Sequence, residues 1–166
     1  NFLFLLPDQH RADWIGCVTD LPLRTPNIDR LAAEGTRFTR AMTPSPVCSP
    51  ARACLATGMD YDRCGTANNN ENTPLDKKTY YQALREAGYQ VSGVGKFDLH
   101  KADLDWGLDG KNMLDEYGFT DGIDSEGKGD AIWAYRKAGK PGGPYIKFLE
   151  DQGCLKEHLA MYDAGS

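Results

Sequence analysis

The sequence is poor in cysteine and histidine, has no long apolar run and carries no block of basic residues. Five cysteines (17, 48, 54, 64 and 154) are spread over 166 residues. They are too few and too scattered for a disulfide scaffold, and no Cys-x-x-Cys pair exists to build a zinc ribbon. Their odd number leaves at least one thiol without an intrachain partner. The longest apolar run, residues 2–7, falls far short of the ~20 residues needed to cross a bilayer, so no membrane span is expected. Lys and Arg number 19 against 24 Asp and Glu, a net charge of −5. Without a basic face, binding to nucleic acid is not expected. The chain has no initiating Met and no charged leader, and it opens on an apolar segment that reads as a core strand. Residues upstream are therefore expected, and localisation is left open.

The length and a hydrophobic content of 40% suit one globular domain with a real core. Phe2–Leu6 reads as a strand apolar on both faces, which places it inside an α/β sheet. The polar loop Pro7-Asp8-Gln9-His10-Arg11 follows, at the strand end where open α/β sheets place ligands. Residues 26–34 read as a helix, with Thr25 as cap, Pro26 at its first position and Gly35 as its stop. Residues 36–42 read as a second strand. A helix starts near Pro50 and stops at Gly58, and another spans 77–87 before Gly88. Residues 89–94 alternate like a strand. The order β-α-β-loop-α-α-β over residues 1–96 predicts an α/β sheet flanked by helices. From 103 to 130, Asp and Gly are dense and loops are expected, with one short hairpin. Residues 131–137, 144–151 and 154–162 read as helices.

The strongest chemical signal is Cys48-x-Pro50-x-Arg52-x4-Thr57-Gly58. A thiol at a helix start meets free N–H groups and the positive end of the helix dipole, which favour an anion. Arg52 adds a fixed charge able to fork onto oxyanions. Taken alone, a cysteine near a helix start is more often a small buried hydrophobe. The full pattern changes that balance. Five fixed positions at roughly 5% background usage each give a chance match below ~10⁻⁶ per start point.

This pattern resembles the signature of the type I sulfatases, formylglycine-dependent members of the alkaline-phosphatase superfamily. Three further blocks carry the same resemblance in order: residues 1–11, the "TPNIDRLAAEG" stretch at 25–35, and "LREAGY" at 84–89 followed by Gly95-Lys96-Phe97. The match is good over 1–100 and poor over 101–166. It implies an alkaline-phosphatase-like α/β sheet flanked by helices, incomplete in this chain. Residues 1–166 then read as the N-terminal part of a sulfatase catalytic domain.

The resemblance implies roles by position. Cys48 would be converted to formylglycine and would also face the metal. Asp8 matches a ligand of a divalent cation, most often Ca²⁺, with Mg²⁺ or Mn²⁺ as alternatives. Gln9 stands where many members have a second Asp, so it would coordinate without adding charge. Arg52 would hold the modified residue and the ion shell together. Lys96 matches the lysine that reaches the sulfate. Asn69 falls where some relatives place an Asn in the sulfate pocket; a plain Asn-rich turn is an equal reading of Asn68-Asn69-Asn70. Arg11 reads equally as an ion-pair partner. The family's "GKWH" histidine is Asp98 here. On an extended segment, positions 98 and 100 face the same way, so either His100 supplies the imidazole or Asp98 acts as the base.

The implied activity is hydrolysis of a small-molecule or carbohydrate sulfate ester by nucleophilic catalysis assisted by the cation. Other expectations stay open: a phosphonate or phosphate ester hydrolase of the same superfamily, and a non-catalytic sulfatase-like binding module. The family's late metal ligands have no counterpart after residue 103. The chain is therefore expected to need the remainder of a sulfatase chain as its partner, and to be inactive alone.

Overall fold

A computed structural model describes residues 1–165, and these form two compact units, 1–42 and 43 onward. In the first unit the only regular element is helix α1, Pro26–Glu34. Pro26 opens it as expected, because the missing N–H of proline is one that the first turn leaves unpaired in any case. Thr25 does not cap the helix with its side chain. Its hydroxyl instead accepts from Gly16 N at 2.8 Å and donates to Asp29 Oδ1 at 2.7 Å. Asp29 Oδ1 also accepts from Cys17 N at 2.9 Å. A Cβ on Gly16 would stand 2.7 Å from Asp29 Oδ2, so this close approach needs glycine.

Two expectations fail in this unit. Phe2–Leu6 is not a strand but irregular and exposed chain, and residues 36–42 are not a strand either. An apolar run supplies a reason to be buried, but a strand also needs a neighbour to take its N–H and C=O groups. No such ladder reaches either segment among the described residues.

The second unit carries the rest. Its elements are α2 (Cys48–Thr57), α3 (Tyr80–Glu86), β1 (Ser92–Gly95), a 3-10 turn (Lys101–Asp103), β2 (Asp121–Asp124), α4 (Lys128–Ala138), α5 (Pro144–Asp151) and α6 (Leu155–Asp163). Helix α2 ends where Gly58 adopts φ +67°, a left-handed stop that glycine takes without strain. Helix α3 begins at 80 rather than 77, because Thr79 forms a capping box with Gln82. Strands β1 and β2 pair in parallel, with Ser92 opposite Asp121 and Gly95 opposite Asp124. The expected hairpin after residue 100 is thus replaced by a long crossover. Gly122 packs so closely on Gly93 O that a side chain there would clash.

Two larger apolar cores and a small cluster of Ala53, Cys54 and Cys64 hold this unit. In the first, Ala56, Val91, Leu99, Leu114, Tyr117 and Phe119 pack with Tyr81, Leu84 and Phe97. In the second, Ala131, Ile132, Ile146 and Leu155 join α4, α5 and α6. Each fully buried large side chain contributes about 1.5–3 kcal/mol. The first core matters most for the site, since it fixes α2 and the end of β1 against one another. The three C-terminal helices form over the residues expected, within a few positions.

Candidate active site

Cys48 is the first residue of α2, with Val47 before it and Pro50 inside the first turn. The expectation placed the thiol just before a helix starting at Pro50; the helix begins two residues earlier, with Ala51 N reaching Val47 O at 3.0 Å. Val47 cannot cap through its side chain, so the exposed N–H groups of the first turn need other acceptors. Asn69 supplies one, with Oδ1 accepting from Ser49 N at 3.0 Å. Of the three consecutive asparagines, 69 is therefore the one that touches the nucleophile helix. Asn68 and Asn70 are engaged in the turn itself.

Lys96 leaves the carboxyl end of β1 and brings its Nζ to 3.4 Å from Cys48 Sγ. Arg52, one turn along α2 from Cys48, donates through Nη1 to the Lys96 carbonyl. Side chain and backbone of one residue are thus both tied to one face of α2. This arrangement puts one thiol beside an ammonium at a helix N-terminus. Such a place favours an anionic ligand.

Asp98 is 1% exposed and has φ +54°, a left-handed conformation that Asp adopts more readily than most residues. The segment is therefore not extended, and positions 98 and 100 do not face the same way. Asp98 turns toward Lys96, with Oδ2 at 3.4 Å from Lys96 Nζ and 3.5 Å from Lys101 Nζ. Lys101, 9% exposed, also pairs with Asp130 at 2.9 Å. Cys48, Lys96, Asp98, Lys101 and Asp130 thus form a line of alternating partners. Neither carboxylate oxygen of Asp98 receives a well-aimed hydrogen bond. Burial pushes the Asp98 carboxyl above the usual carboxylate range, and the nearby charges of Lys96, Lys101 and Arg52 only partly offset it.

His100 faces the other way. Its Nε2 lies 3.2 Å from Asp124 Oδ2, and its ring is enclosed with Trp106 and Tyr117. Asp124, at the end of β2, also accepts from Phe97 N at 3.0 Å. The Tyr117 hydroxyl, 2.9 Å from Thr73 O and 3.0 Å from Leu99 O, braces the same segment. Lys101, Asp124, Asp130 and Tyr117 were not singled out from sequence. They lie in or beside the Asp- and Gly-rich stretch whose pattern reads as loop, and only the parallel pairing of β1 with β2 brings them together.

Asp8 and Gln9 lie in the first unit, on an exposed turn with Gln9 at φ +53°. A carboxylate and an amide on adjacent residues are hard oxygen donors, which fits a cation such as Ca²⁺ or Mg²⁺ by chemistry. No group of three or more His, Cys, Asp or Glu side chains able to hold a metal is gathered among the described residues. Arg11 forms an ion pair with Asp13 at 2.6 Å, and His10 Nε2 contacts Trp14 O at 3.1 Å.

The motif, the helix that presents it and the lysine beside it thus stand together on an α/β framework. The chain belongs to the sulfatase family, whose sequence model matches residues 1–160. An uncharacterized sulfatase, YidJ, of Escherichia coli (strain K12) is 39% identical over 128 residues, which are 70% of this chain and 26% of the relative. The N-acetylglucosamine-6-O-sulfatase of Bacteroides thetaiotaomicron is 33% identical over 99 residues, 60% of this chain and 18% of the relative. The crystal structure of YidJ from Bacteroides fragilis superposes with a TM-score of 0.49 at 37% identity, covering 55% of this chain and 22% of that one. The chain spans about a quarter or less of the length of these relatives.

Proposed function

We propose that this protein hydrolyses sulfate esters through a nucleophile derived from Cys48, with residues 1–166 forming part of the catalytic domain. The observation that carries this reading is the 3.4 Å approach of Lys96 Nζ to Cys48 Sγ at the first turn of α2. Family membership supports sulfate esters as the substrate class. The relative named for N-acetylglucosamine 6-O-sulfate supports a carbohydrate sulfate ester among the candidates.

Formylglycine at position 48 would supply two hydroxyls on hydration, one to attack sulfur and a second whose deprotonation releases sulfate. Asp8 and Gln9 would hold a divalent cation, which would polarise oxygens of the transferring group. Lys96 neutralises charge developing on that group from a position already fixed before reaction. Arg52 holds the Lys96 carbonyl and thereby fixes the residue that bears the ammonium. Asn69 keeps the α2 N-terminus ordered through Ser49 N, and its amide would be a donor to sulfate. Asp98, buried between two lysines, is the carboxylate placed to accept a proton near Lys96. His100, enclosed with Asp124, would act by positioning the 96–100 segment.

Mass analysis of the tryptic peptide Ala41–Arg52, from a full-length protein that contains residues 1–166 and is made with a formylglycine-generating enzyme, tests the reading. Conversion of Cys48 to the aldehyde, together with sulfate release from an aryl sulfate, is expected. An unmodified thiol and no sulfate release would overturn it.

A further inference from the structure

Two cysteines have no part in the site just described. Cys54 lies in the C-terminal half of α2 and Cys64 in the loop beyond it, 5% and 0% exposed. They pack in one buried cluster with Ala53, with Met59 against it. The path between them is a tight return. Gly58 N bonds to Cys54 O at 2.8 Å, and then Arg63 N and Cys64 N both reach Asp60 O at 2.9 Å. This return brings the Cys64 side chain back into one buried cluster with Cys54 of α2.

We propose that Cys54 and Cys64 form a disulfide that ties the end of the nucleophile helix to the loop after it. Three observations converge on this pair. First, both cysteines lie in the same buried cluster, where the Cys64 thiol makes only long contacts, 3.4 Å to Tyr61 O and 3.6 Å to Thr66 O. Second, the cluster offers no metal alternative, since no third His, Cys, Asp or Glu joins it in a ligand group among the described residues. Third, the wrong pairing is disfavoured within α2. Cys48 precedes Cys54 by six residues, about 9 Å along the axis and on a different side of the helix. The cross-link thus leaves Cys48 available for its own chemistry.

The step needs an external disulfide as oxidant, such as oxidised glutathione or a thiol–disulfide oxidoreductase. One protein thiolate attacks the external S–S bond, forms a mixed disulfide and releases one external thiol. The second protein thiolate then attacks the protein sulfur and releases the other. Two protein thiols lose two protons and two electrons, and the oxidant becomes two thiols. Burial pushes the Cys54 thiol up to about 11, so exchange in the folded protein is slow at neutral pH and faster as pH rises.

Trypsin separates the relevant cysteines, because cleavage after Arg52, Arg63 and Lys77 leaves Cys48, Cys54 and Cys64 on different peptides. The protein is refolded with oxidised glutathione, alkylated under denaturing conditions and mapped without reduction. A single linked species joining peptides 53–63 and 64–77 is expected, with peptide 41–52 unlinked. Tm should rise by on the order of 5 °C, since a short loop is closed in the unfolded chain. That rise should vanish in the Cys54→Ala/Cys64→Ala variant. Separately alkylated peptides, glutathione on either cysteine, or a link from Cys48 to either would overturn the proposal. The map reads the unmutated protein and is indifferent to its activity.

Discussion

The carboxylate of Asp98, on a residue with left-handed backbone, is held 3.4 Å from the ammonium of Lys96. Because Asp98 is buried, this pair is screened less by solvent than a surface pair.

One consequence concerns pH and stability. The folded-state pKa of Asp98 lies above its unfolded value. The unfolded chain therefore loses this proton first as pH rises, and Asp98 contributes stability that is present below about pH 4 and lost as pH passes the folded value. Asp98→Asn removes that loss. The Tm of the variant relative to the unmutated protein should climb between pH 4 and pH 7, while sulfate release falls. Calorimetric scans at both pH values check the sign.

Lys96→Met should reduce sulfate ester hydrolysis by roughly 10²–10³-fold, the usual effect of removing one preorganised group from a developing anion. The fold should persist, since Lys96 is partly exposed at its side chain. Steady-state rates on an aryl sulfate, with circular dichroism as control, measure this.

Asn69→Ala should cost about 1 kcal/mol, because Ser49 N loses its acceptor at the start of α2. Asn69→Asp keeps the acceptor and should recover most of that stability. Denaturant unfolding of both variants separates the two cases.

Asp124→Ala should be among the most damaging single changes away from the apolar cores. It removes the acceptor of Phe97 N and the partner of His100 inside a buried pocket. A loss of about 2–4 kcal/mol is expected. Asp124→Asn, which keeps an acceptor for Phe97 N, should lose less.

The helices were legible in the sequence because each carries local punctuation: Pro26 and Gly35 around α1, Gly58 after α2, Gly88 after α3. The nucleophile motif was legible because its five positions lie within one helix and its stop. What escaped was non-local. Phe2–Leu6 has the composition of a core strand, but a strand is completed by its neighbours and not by its own residues. Asp124 and Tyr117 escaped for the same reason, since their importance arises from the pairing of β1 with β2. Asp98 was legible as a substitution in the Gly95-Lys96 block. Its separation from His100 was not, because it depends on one left-handed residue.

The most direct test is sulfate release by a full-length protein that contains residues 1–166, matured with a formylglycine-generating enzyme and set against its Cys48→Ala variant. Turnover of an aryl sulfate by the matured full-length protein and background release by the variant are expected. Equal release by the two would contradict it.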